Sequence, residues 1–224
     1  MDAEHHEEDI NKDNSHEQGG NTAKYIADSS VPGISKFLRM MGIDCACDCS
    51  YTDAYIIFIA RSEDRIIITR SSKLHARLQS YENKKAKLER QLEKAKNTGD
   101  EEYIEIIQDE LDEIKPLKYY WVESLGRENQ ILDVTGHFKI RYIPELLFSR
   151  CVKCNGKVRR VVNKNDIKDK VYELTLEKND YFVQCEKCDN VYYGNEQGNA
   201  FQKKLWKSAR DLCNRLSYED TTSH

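Results

Sequence analysis

The chain has 224 residues, 39% of them apolar and 33% charged, with a formal net charge of −4. That is apolar material for one medium core and a small satellite, and no stretch approaches the roughly 20 apolar residues of a membrane-spanning helix. No secretory signal pattern opens the chain and its cysteine usage reads as reduced thiols, so an intracellular, cytoplasmic protein with no membrane partner is expected.

The charge is segregated along the chain. Residues 1–20 hold seven acids against one lysine, so 1–23 reads as a disordered acidic linker, and the rest of the chain is basic by two charges. A short strand over 24–28 ends in Asp28. Ile34, Phe37, Leu38 and Met41 then predict an amphipathic helix over 31–41, closed by Gly42. A strand over 43–49 follows, in which Cys45, Cys47 and Cys49 alternate. Period two places the three thiols on one face, as buried packing groups rather than a second metal site. Ser50 or Thr52 caps a helix over 53–62, and Arg65-Ile-Ile-Ile-Thr69 is a buried strand before a helix opened by Ser71 or Ser72.

Residues 73–118 are longer than a crossover requires. One helix carries the apolar stripe Leu74, Leu78, Tyr81, Leu88, Leu92, Ala95; after the turn at Thr98-Gly99-Asp100 a second carries Tyr103, Ile104, Ile107, Leu111, Ile114. The first has eight basic residues against three acids and the second eight acids against one lysine, so an antiparallel hairpin is expected to pair opposite charges along its length. Apolar contacts must still do most of the work, since an exposed pair contributes only about 0.2–1 kcal/mol. The second helix has more Ile and Tyr than one partner helix covers, so the stripe Tyr103, Ile104, Ile107, Leu111 and Ile114 is a candidate docking face for another protein. A self-contained hairpin folded back on the body is the alternative.

A strand over 118–123 and a helix over 128–134 complete an alternating pattern, which makes 24–148 an α/β domain: a parallel sheet flanked by helices, with 73–118 inserted. Right-handed crossovers bring all strand C-termini to one edge, the ligand edge of such sheets. Asp28, Asp53 and Glu123 fall there. Carboxylates converging at that edge hold Mg²⁺ or Mn²⁺ and activate water against a phosphodiester, whereas a helix-start acid and a turn acid account for two of them without a metal.

Cys151-Val-Lys-Cys154 and Cys185-Glu-Lys-Cys188 supply four soft ligands in two knuckles, which reads as a structural Zn²⁺ ribbon over 149–194. Two disulfides are the competing reading, disfavoured without a secretory context. Between Lys139 and Lys170 stand ten Lys/Arg against three Asp/Glu. Arg150, Lys153, Lys157, Arg159, Arg160, Lys164, Lys168 and Lys170 surround the first knuckle, with Tyr172, Tyr181, Phe182, Tyr192 and Tyr193 as aromatic faces. The segment 195–224 contains a basic amphipathic helix with Lys203, Lys204 and Lys207 outside and Cys213 packed inside. A basic surface of this size predicts binding of single-stranded RNA, with little sequence preference.

Several of these segments, taken together, resemble the Mut-seven C-terminal RNase family. They are Tyr25-Ile-Ala-Asp28, Gly33, Lys36-Phe-Leu-Arg-Met-Met-Gly42, Arg65-Ile-Ile-Ile-Thr-Arg70 and the knuckles ending in Cys188-Asp-Asn-Val-Tyr-Tyr-Gly194. The resemblance spans 24–194 less the insertion. It implies a PIN-like domain with a C-terminal zinc ribbon, found behind 3′–5′ exoribonucleases of the mutator/Nibbler type that act on small RNAs. It also implies an aspartate after the Thr-Arg of the third strand, where this chain has Ser71. A hydroxyl lacks the charge of a metal ligand, so the expected function is a non-catalytic RNA-binding and docking module beside an upstream exonuclease domain. A PIN-like, metal-dependent endoribonuclease using Asp28 and Asp53 is the alternative.

Overall fold

The computed structural model describes residues 20–114, 116–193 and 211. Four strands, β1 (Lys24–Ala27), β2 (Cys45–Ala46), β3 (Arg65–Thr69) and β4 (Tyr119–Trp121), form a wholly parallel sheet in the order β2-β1-β3-β4. Five helices belong to this body: α1 (Pro32–Met40), α2 (Asp53–Glu63), α3 (Ser72–Thr98), α4 (Glu101–Glu113) and α5 (Arg127–His137). Side chains alternate across the sheet, as strand geometry requires. Tyr25, Ala27, Ile66 and Ile68 face a core closed by α1 and α5; Ile26 and Ile67 face a second core closed by α2 and the first turns of α3. Every residue of β3 is buried, which explains its unbroken Ile-Ile-Ile run. The α/β class expected from the alternating pattern is therefore present.

Local chemistry explains the boundaries. Pro32 opens α1, where its missing N–H costs nothing, and Thr52 and Ser71 are the residues whose hydroxyls cap α2 and α3. Gly42 follows α1 at φ +81°, and a Cβ there would collide with the Leu146 carbonyl. Both the backbone conformation and the close approach demand glycine.

One expected strand is much shorter. β2 stops at Ala46, so the three alternating cysteines do not share a strand face: Cys45 is buried, Cys47 half-buried and Cys49 exposed. The reason lies at the sheet edge. Among the described residues no strand other than β1 pairs with β2; the Cys45 amide donates instead to the Asn155 side chain, while Arg39 donates to the Cys45 and Cys47 carbonyls. Burial pushes the Cys45 thiol up to about 12, which leaves it inert.

Helix α3 does two jobs. Leu74 and Leu78 at its root belong to the sheet core, whereas Leu88 and Ala95 pack with Ile107 of α4, flanked by Leu92, Ile104, Leu111 and Ile114. The apolar stripe of α4 is thus spent inside the hairpin, and Tyr103 and Ile106 are what it leaves exposed. The expected ladder of opposite charges is sparse: among the described residues one ion pair crosses the hairpin, Lys84 to Glu110 at 3.9 Å.

The C-terminal part is a second, antiparallel sheet of β5 (Val158–Arg160), β6 (Phe182–Cys185) and β7 (Val191–Tyr193), with α6 (Glu173–Lys178) between its first two strands. The linker over 1–19, Lys203, Lys204, Lys207 and Cys213 lie outside the described residues.

Candidate metal centre and acidic edge

The four cysteines converge. The Sγ atoms of Cys151, Cys154, Cys185 and Cys188 all lie within 4.8 Å of one another, with 3.6 Å between Cys151 and Cys188 and 3.4 Å between Cys154 and Cys185. Metal–sulfur bonds of about 2.3 Å in a tetrahedron put sulfurs roughly 3.8 Å apart, so the set fits one ion such as zinc. The two knuckles repeat one conformation. Asn155 and Asp189, each just after a second cysteine, adopt φ +67° and +57°; the first-cysteine carbonyl accepts their amides, and the Cys151 and Cys185 amides donate to the Gly156 and Asn190 carbonyls. A Cβ at Gly156 would lie 3.0 Å from the Cys185 sulfur and 2.8 Å from the Lys187 Cβ, so the first knuckle closes only around glycine.

Donors point at the sulfurs. The amides of Cys154, Lys187 and Cys188 lie 3.3–3.4 Å from Cys151 or Cys185 Sγ, and the Tyr192 hydroxyl is 3.0 Å from Cys151 Sγ. Burial raises the Cys151 thiol, but these hydrogen bonds outweigh it and bring it down to about 7, whereas burial pushes Cys154 up to about 12. Thiolates this close repel, so a cation is what lets all four be charged together. The four cysteines can fill all positions of a tetrahedral ion by themselves.

The centre is tied to the body by buried polar groups that the sequence reading passed over. Arg39, 3% exposed, donates through Nη1 to the Val152 and Lys153 carbonyls inside the first knuckle. Asp44 accepts from Arg65 and from the Asn155 amide, and pairs with Arg150 at 3.1 Å. An arginine between Leu38 and Met40 on an amphipathic helix was the available signal, because a charge at such a position needs carbonyl or carboxylate partners. Arg150, expected on an RNA face, is instead part of this joint.

The acids reach the expected edge without gathering. Asp28, 5% exposed, follows β1 and accepts from the Ser30 amide and hydroxyl; that hydroxyl in turn accepts from the Arg70 amide. Asp53 begins α2, lies 3.7 Å from Lys73 Nζ, and has an Oδ2 that is buried with no hydrogen-bond partner. Glu123 is exposed, and its carbonyl accepts from Arg70 Nη1, which also reaches the Val122 and Ser124 carbonyls. Among the described residues, the cysteine quartet is the one group of three or more Cys, His, Asp or Glu side chains gathered closely enough to hold a metal ion. Ser71 is occupied as the α3 cap.

The basic residues divide by role. Arg159 and Arg160 are exposed on the edge strand β5, as are Lys153, Lys157 and Lys168 nearby, and Arg160 lies 5.7 Å from the ring of half-exposed Tyr181. Lys164 pairs with Asp180 and Lys170 with Asp189. Phe182 is buried and Tyr192 serves the metal centre, so Tyr181 and Tyr172, 88% exposed, are the ribbon's open aromatic faces. Among the described residues no helix is long and apolar enough to cross a membrane.

A family model described as the Mut7-C RNAse domain matches residues 23–205, which spans both the parallel sheet and the cysteine quartet. No curated protein and no solved structure gives a match.

Proposed function

The chain belongs to the Mut7-C RNAse domain family, and from that premise we propose that it is an RNA-binding module of a nuclease system whose own acidic edge does not cleave. The observation that carries this reading is the exposed Arg159-Arg160 pair on the ribbon's edge strand, with a tyrosine face beside it. Guanidiniums neutralise phosphates while exposed rings stack bases, and neither depends on sequence. The metal quartet, taken as zinc, holds that strand in place. Against catalysis stand Ser71 serving as a helix cap and carboxylates that do not gather. In this proposal the chain accompanies an upstream 3′–5′ exoribonuclease domain acting on small RNAs in the cytoplasm. Tyr103 and Ile106 of the hairpin, 42% and 52% exposed, are its contact for a protein partner.

A second reading, a Mg²⁺- or Mn²⁺-dependent endoribonuclease, draws on one observation: Asp28 is buried at a strand end and Asp53 carries an unsatisfied buried oxygen at the same edge. The experiment is binding and cleavage of labelled single-stranded RNA by zinc-loaded protein, with and without Mn²⁺, across a salt series. We expect salt-sensitive binding without cleavage, weakened roughly tenfold or more by Arg159→Glu/Arg160→Glu as two phosphate contacts become repulsions. Cleavage that needs Mn²⁺ and disappears in Asp28→Asn would overturn the non-catalytic reading.

A further inference from the structure

The core on the α2 side of the sheet is incompletely covered. A groove remains between α2 and α3, lined by Ala54, Ile57, Phe58, Arg61, Arg77 and Tyr81. Its α2 rim is aromatic and open to solvent: Phe58 is 61% exposed and Tyr55 44%. Tyr51, just before the helix, meets Tyr55 edge-on at 4.9 Å, and Tyr55 and Phe58 stack with ring centres 6.4 Å apart and a tilt of only 30°. An exposed phenylalanine beside an exposed tyrosine on one helix face exceeds the scattered apolar exposure of an ordinary surface.

The charge of the groove has one sign. Arg61 lies over the Tyr81 ring at 4.7 Å with a buried Nε that makes no hydrogen bond, and Arg77 stands exposed on α3. Among the described residues neither arginine is in an ion pair. The acids at its two ends are already matched: Asp53 faces Lys73, Glu63 pairs with Arg65, and Asp64 with Lys118. A groove with exposed rings on its α2 rim and one guanidinium from each wall, Arg61 of α2 and Arg77 of α3, suits an anionic ligand made of flat rings. It is also placed for continuity. Both helices have their N-termini at the edge where the strands end, so Ala54, at the top of the groove, adjoins Asp53 of the acidic edge.

We propose that the α2–α3 groove is a second single-stranded RNA contact, with Tyr55 and Phe58 stacking bases and Arg61 and Arg77 meeting phosphates. It rests on the reading of the chain as an RNA-binding protein and extends it to a face remote in sequence from the ribbon. An acidic peptide would satisfy the arginines but would leave the exposed rings without flat partners.

The test uses the full zinc-loaded chain and a labelled oligouridylate. Tyr55→Ala/Phe58→Ala removes two exposed rings and is expected to weaken binding roughly tenfold, without changing the dependence of affinity on salt, because no charge is lost. Arg77→Glu is expected to weaken binding and lower the salt slope by about one. Phe58→Tyr keeps a ring and should keep the affinity. If the parent binds and the double variant binds equally well, the groove is not an RNA site, while the ribbon reading stands. If the parent shows no RNA binding, the underlying reading fails and takes this inference with it. Loss of a parent dimer in the double variant, measured by sedimentation with RNA affinity unchanged, would make the groove a face for a second copy and overturn the proposal.

Discussion

Asp44 shows how much one carboxylate does in this molecule. Burial on its own would raise its pKa, yet hydrogen bonds from Arg65 and Asn155 and the charges of Arg65 and Arg150 outweigh burial and lower it. Glu63, the other acid here, is turned onto the same Arg65 at 2.7 Å. A carboxylate whose folded pKa lies below its unfolded value of about 3.9 contributes stability that is complete above that value and lost as pH falls through the folded pKa. Asp44→Asn should therefore cost about 2 kcal/mol at neutral pH, where charge-assisted hydrogen bonds are lost. The deficit should shrink as pH falls below about 4, where Asp44 of the unfolded parent begins to protonate, and vanish below the lowered folded value. Urea unfolding at the two pH values checks this, and a deficit independent of pH would remove Asp44 from that role. Nothing local in the sequence marks Asp44, because its partners are 21, 106 and 111 residues away.

At the scale of elements, the helical insertion divides at about Tyr81 into a root that belongs to the sheet core and a tip that packs only on itself. Its existence and its turn were legible, since Gly99 at φ +71° and the Asp100 cap are what Thr98-Gly99-Asp100 implies. Which stripe faces which helix was not, because periodicity marks an apolar face without naming the surface that covers it. Ile107→Ala is expected to cost about 2–4 kcal/mol within the tip, where Ile107 meets Leu88 and Ala95. Hydrogen exchange should then speed up over 84–113 while β1 and β3 keep their protection. Equal loss of protection in the central strands would show that the hairpin is not a separable unit. The shortened β2 teaches the converse lesson: alternation predicted seven strand residues, but a strand persists only where a neighbour accepts its hydrogen bonds, and pairing to β1 ends at Ala46.

For the whole molecule, the metal centre and the parallel sheet are mechanically one object. Arg39 hands its guanidinium to carbonyls of β2 and of the first knuckle, Asn155 replaces a missing strand at the β2 edge, and Phe148 and Val152 pack against the α1–α5 core. Binding of a structural ion is folding energy for whatever is built on it. Stripping the metal with a chelator should therefore lower the unfolding midpoint of the sheet as well as of the ribbon, by about 2–8 °C for 1–2 kcal/mol in a chain of this size. In Arg39→Met, whose methionine packs without reaching the knuckle, the sheet should respond much less. A sheet transition indifferent to chelation in the parent would show that the two parts are only neighbours. The acidic edge is a whole-molecule feature of the opposite kind: topology carries Asp28, Asp53 and Glu123 to one edge, but their side chains are claimed by local partners or by solvent.

The linear order of residues was sufficient for whatever depends on near neighbours: the alternation that makes a parallel α/β sheet, the turn at Thr98-Gly99-Asp100, and the two cysteine knuckles; it narrowed two helix caps to Ser50 or Thr52 and Ser71 or Ser72, between which the structure uses Thr52 and Ser71. It also carried the family resemblance and the absence of an aspartate at Ser71. Tertiary structure alone decided which basic residues are paired, since Arg150 and Lys164 met carboxylates while, among the described residues, Arg159 and Arg160 did not. It alone decided that the α4 stripe is interior and that an aromatic groove stays open between α2 and α3. The physical reason is common to all of these. Charge pairing and burial are settled by atoms brought within a few ångströms from distant parts of the chain, and no local pattern records which ones arrive.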